Sequence, residues 1–139
     1  MVRFWDSSAL VPLLVQEDAT GALLELYVSG EVVAWWGSDV ECASAVTRLE
    51  RADRLEPADT TEALRRLRRL ADGWHLVEPS DAIKEIATRL LRVHALRAAD
   101  SLQLAAAITA SEQRPPTLEF VSRDERLTLA AEREGFPTL

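Results

Sequence analysis

One cysteine, two histidines and one lysine occur among 139 residues, and each scarcity closes off a class of chemistry. With Cys42 alone, no intrachain disulfide can form, which suits a reducing compartment. Cys42 stands beside Glu41 in an apolar setting and reads as a small core residue rather than a nucleophile. His75 and His94 fall at a strand and at a helix end. A ribonuclease working through a histidine pair is therefore not indicated. Long apolar runs are also missing. The longest, Ala9 to Val15, falls far short of a membrane span. The start holds one basic residue, Arg3, and then Asp6, unlike a signal peptide. A cytoplasmic protein without membrane contact is the expectation. Positive charge is short as well. The formal net charge is -7, which argues against passive binding to a nucleic-acid backbone. The arginines nevertheless cluster, at Arg48, Arg51 and Arg54 and again at Arg65, Arg66, Arg68 and Arg69. They fit solvated helix faces with intrahelical pairs, or a patch that meets phosphate or an acidic partner.

What is present fits an ordinary globular chain. Apolar residues make up 47% and charged residues 28%, enough to bury a core without staples in one domain over 1–139. Val2–Trp5 reads as a buried strand and Ser8–Val15 as a short helix. Glu17–Ser29 has helical spacing and ends at Gly30. Glu31–Trp36 is a second buried strand. Helices follow from Ser38 to about Arg54 and from Thr60 to about Asp72. Trp74–Val77 is a third strand. Asp81–His94 and Ala98–Ser111 are helices, the second nearly all small or apolar and so buried. Leu118–Val121 is a fourth strand, Arg123–Glu134 a last helix, and Gly135–Leu139 a candidate edge strand. Strands alternating with helices predict an α/β protein with a parallel sheet covered on both faces, in three layers.

Four acids stand at the junctions of these elements. Asp6-Ser7-Ser8 and Asp124 are placed to cap helices. Ser38-x-x-Glu41 matches a capping box, with Glu41 reaching back to the Ser38 amide, and Asp100-x-x-Gln103 resembles one. The alternative is a shared site. Asp100 lies on the helical face of Leu104, Ala107 and Ile108, and a carboxylate facing a core needs a partner or a metal. Glu41 lies along its helix with Ser44, Ala45 and Arg48. Asp6 follows the first strand and Asp124 the fourth. Neighbouring strands would bring both to one switch-point crevice. Carboxylates converging without lysine or histidine make a hard-cation site suited to Mg²⁺ or Mn²⁺. A metal pair there can activate water and stabilise the leaving oxygen in phosphodiester hydrolysis.

The stretches Phe4-Trp5-Asp6-Ser7-Ser8-Ala9-Leu10, Asp39-Val40-Glu41, Arg97-Ala98-Ala99-Asp100-Ser101-Leu102-Gln103-Leu104 and Phe120-Val121-Ser122-Arg123-Asp124 resemble the PIN domain, and within it the VapC-type toxins. The Asp100 stretch is the most specific of them. One departure is Trp35-Trp36-Gly37-Ser38, where a Thr/Ser-Ser-like segment is more usual. The resemblance implies a three-layer α/β/α PIN-like fold with a mainly parallel sheet of four or five strands. It implies a Mg²⁺- or Mn²⁺-dependent endoribonuclease acting on RNA, with Asp6, Glu41, Asp100 and Asp124 as catalytic and metal-binding acids and the Ser7 and Ser122 hydroxyls in support. It further implies a homodimer and a VapB-like antitoxin partner. Two rival readings are a receiver-like module with an acidic Mg²⁺ pocket and a degenerate PIN module that only binds a partner. A receiver needs a lysine at the pocket, and Lys84, the only one, falls in a predicted helix.

Overall fold

The computed structural model describes residues 1–139. Strand β1 (Val2–Trp5) pairs with β2 (Glu31–Trp35) on one side and β4 (Glu119–Val121) on the other. Strand β3 (His75–Val77) completes the order β3-β2-β1-β4. All three pairings are parallel, so each return to the sheet passes through helices. These are α1 (Ser7–Leu10), α2 (Thr20–Val28), α3 (Ser38–Arg51), α4 (Pro57–Ala71), α5 (Asp81–Val93), α6 (Ala98–Ala110) and α7 (Glu125–Arg133).

Successive strand residues face opposite sides, and both sides are covered. Trp5, Val32, Ala34 and Val121 pack with Leu10, Leu13, Cys42, Val46 and Leu67 beneath α1–α4. Phe4, Trp35 and Phe120 pack with Ile83, Leu90, Leu104 and Leu127 beneath α5–α7. The Phe4 and Phe120 rings stack at 5.4 Å between centroids. This is the expected three-layer α/β/α arrangement around a parallel sheet. The sheet holds four strands. The tail beyond Gly135 adds one bridge, Phe120 to Thr138, since Pro137 has no N–H to extend the ladder. No helix is long and apolar enough to cross a membrane.

Local chemistry moves some element ends from their expected places. The first helix stops at Leu10 and continues as a 3₁₀ turn over Val11–Leu13, because Pro12 cannot extend an α ladder. The second helix starts at Thr20 rather than Glu17. The Thr20 hydroxyl donates to the Pro12 carbonyl at 2.7 Å and accepts the Glu17 N–H at 2.8 Å, pinning the turn before it. The third helix ends at Arg51, two residues before Asp53 at φ 57°. The order of strands reverses between β1 and β4, and this reversal opens a crevice at their carboxyl ends.

Candidate functional site

Asp6 leaves β1 at that crevice, its N–H bonded to the Val121 carbonyl of β4 at 3.0 Å. Its carboxylate accepts the Ser8 N–H at 3.2 Å and so caps α1. It also accepts the Ser8 hydroxyl and, at 2.9 Å, the Ser122 hydroxyl. Across the crevice Asp124 accepts the Leu127 N–H at 2.9 Å and caps α7. The two strand ends are laced together. Ser8 accepts the Arg123 N–H at 2.8 Å, and Ser122 accepts the Asp124 N–H at 3.1 Å.

Glu41, in the first turn of α3, accepts the Ser7 hydroxyl at 3.2 Å on one oxygen and the Gln103 amide at 3.0 Å on the other. It does not reach back to cap α3, whose N-cap is Gly37. Asp100, in the first turn of α6, is half-buried and takes a backbone hydrogen bond from Arg97. Asp6, Glu41, Asp100 and Asp124 all line one cleft of about 420 Å³, with Ser7, Ser8, Arg48 and Arg97 beside them. Ser122 stands behind Asp6 and outside that lining.

Burial and mutual repulsion mark these acids. Burial pushes Asp6 up, the Ser8 and Ser122 hydrogen bonds pull it back, and the charge of Asp100 adds to the rise. Burial pushes Glu41 up to about 7, opposed by the Gln103 hydrogen bond and reinforced by the charges of Asp6 and Asp100. Asp100 is raised by burial and by Asp124. Several like charges at one crevice favour a bound cation or a bound proton. No three acidic, histidine or cysteine side chains close into a ready-made metal cage. The donors instead surround an open cleft and are all oxygens. That fits Mg²⁺ or Mn²⁺, which keep waters and take few protein carboxylates. Burial also pushes the neighbouring Cys42 thiol up, in keeping with its place in the core.

Asp6 and Asp124 therefore cap helices and face the cleft at once, whereas Glu41, Asp100 and Gln103 do not form the capping boxes open to them, since the N-caps of α3 and α6 are Gly37 and Arg97. Sequence reasoning missed three contributors. Ser8 stands beside the equally polar Ser7, and Arg97 lies within the Asp100 stretch with no spacing that singles it out. Gln103 reads in the sequence as the last letter of a capping box, although a lone amide in an otherwise small and apolar helix is a usable signal. Lys84 lies apart, beside a cavity of about 560 Å³ formed with Trp35 and Trp36.

No family model matches the chain, and no curated protein matches it in sequence. Solved structures match it in fold over nearly their whole length. The PAE2754 protein of Pyrobaculum aerophilum is 18% identical at a TM-score of 0.71, covering 99% of this chain and 92% of that one. A toxin–antitoxin complex from Klebsiella pneumoniae is 16% identical at 0.65, covering 99% and 95%. VapBC2 from Rickettsia felis, solved bound to a DNA fragment from its promoter, is 12% identical at 0.66, covering 100% and 98%. At these identities the likeness is one of fold.

Proposed function

We propose that the chain is a metal-dependent endoribonuclease, the toxin of a VapBC-like type II toxin–antitoxin pair acting in the cytoplasm. The observation that carries this reading is the convergence of Asp6, Glu41, Asp100 and Asp124 on one cleft at the β1/β4 switch point. Asp6, Asp100 and Asp124 would hold Mg²⁺ or Mn²⁺, with Glu41 as a further ligand or as the group that orients the attacking water. When bound, the cation would activate water and stabilise the leaving oxygen of a phosphodiester. The Ser8 and Ser122 hydroxyls fix the rotamer of Asp6, and Ser7 fixes Glu41. Glu41, pushed up to about 7, can take up a proton near neutral pH. Arg48 and Arg97 give the cleft the cationic groups that phosphate needs. Trp36, 53% exposed at the same sheet edge, offers a face for stacking an unpaired base.

The toxin role is supported by a fold neighbour that is itself part of a toxin–antitoxin complex. An antitoxin would lie in the groove of about 400 Å³ between α3 and α4, lined by Val40, Leu64, Leu67 and Arg68. A homodimer is part of the same proposal. The receiver-like alternative loses ground, since Lys84 does not line the acid cleft. The purified chain, free of any partner, is expected to cut RNA with Mg²⁺ or Mn²⁺. Asp6→Asn and Asp100→Asn are each expected to remove most of the activity while staying folded by circular dichroism. Cleavage undiminished in excess EDTA overturns the reading.

A further inference from the structure

Gln103 is fully buried, at 0% exposure, on a helix whose other inward residues are small or apolar. A buried amide in such surroundings is unfavourable unless it is paired, and this one is only half paired. Its nitrogen donates at 3.0 Å to the Ser38 hydroxyl and at 3.0 Å to Glu41. Its carbonyl oxygen has no partner. What pairing the amide has is spent on α3, at the turn where α3 delivers Glu41. Asp100 lies one turn before Gln103 on α6, so the amide ties together the two helices that each bring an acid to the cleft. With Ser7 holding the other oxygen of Glu41, both oxygens have a fixed donor.

We infer that Gln103 is a positioning residue, which acts through Glu41 to hold that carboxylate toward the cleft and thereby sets the cleft's affinity for a divalent cation. The inference rests on the proposed function wherever it speaks of metal or RNA. A group that orients a ligand from behind is worth about 10- to 100-fold in affinity or activity when removed.

Gln103→Met keeps the length of the side chain, removes the donor and removes the unpartnered oxygen. Mn²⁺ affinity by calorimetry and the rate of RNA cleavage are both expected to fall about 10- to 100-fold. In a Glu41→Gln background the same substitution is expected to change either by less than about twofold, since residues acting as one unit are not additive. Equal losses in both backgrounds, or an unchanged Mn²⁺ affinity, reduce Gln103 to core filling and overturn the inference. A wild-type chain that binds Mn²⁺ and cuts no RNA overturns the nuclease reading alone, and the calorimetric cycle still decides the role of Gln103. Should wild type bind no Mn²⁺, or Gln103→Met not fold, the side-chain amide signals of Gln103 in metal-free NMR spectra decide it. They are expected to shift on Glu41→Gln, and signals that stay in place overturn the inference.

Discussion

Asp100 is the acid whose replacement separates a metal site from an ordinary first-turn helix residue, since the N-cap of α6 is Arg97. Burial and Asp124 both work against its charge, so Asp100→Asn is expected to raise the melting temperature of the metal-free protein. A ligand bound only by the folded state stabilises it, by about 2.7 kcal/mol when present at 100 times its dissociation constant. Millimolar Mn²⁺ is therefore expected to raise the melting temperature of wild type and to do little for Asp100→Asn. Equal shifts in the two proteins would sink the metal site, since a cation held by Asp100 must bind the Asn variant less tightly. Glu41 carries a second expectation at this scale. Burial raises it from 4.5 to about 7, so the folded state holds that proton more tightly than the unfolded one. Its contribution is full below pH 4.5 and is lost as pH rises toward 7. In EDTA, urea midpoints are expected to fall across that window. Glu41→Gln should flatten the fall, and an unchanged slope counts against the buried carboxyl.

At the scale of elements, α6 shows what was legible and what was not. Its run of small and apolar residues announced a buried helix, and Ala105, Ala106 and Ala107 are all fully buried. Packed against α5 and β2, it has no room for larger groups. Ala106→Leu is expected to destabilise the fold by about 1–3 kcal/mol, read as a lowered urea midpoint without a change in slope. A midpoint within error of wild type would mean that the layer can yield there. The ends of elements were harder to read. Thr20 starts α2 because its hydroxyl finds the Pro12 carbonyl, a contact across eight residues that no local pattern shows. Asp6 and Asp124 were legible as caps or as site residues, and only the strand order shows them as both. Gln103 reads in the sequence only as part of a capping box, and its partner 62 positions away has no local signal.

Across the whole molecule, the alternation of strands and helices announced the layered parallel sheet, while the order β3-β2-β1-β4 had no local signal, since parallel pairs are closed by long crossovers. That order leaves the groove between α3 and α4 beside the helix that delivers Glu41. Val40 stands 69% exposed there. Val40→Glu is expected to abolish capture of a small antitoxin co-expressed from the native operon. It should leave the melting temperature within about two degrees, as surface changes do. Capture at wild-type levels by the variant would move the partner to another face.

The Ser122 hydroxyl meets the Asp6 carboxylate across 116 positions of chain. Timing follows from that separation. A chain emerging from the ribosome displays Asp6 before Glu41 and Glu41 before Asp100, yet no crevice exists until β4 has emerged and docked beside β1. Long-range parallel pairing is among the slowest events in folding, so the acids stay apart until that pairing forms. Whatever chemistry the cleft performs is withheld from every copy in which β4 has not yet docked beside β1.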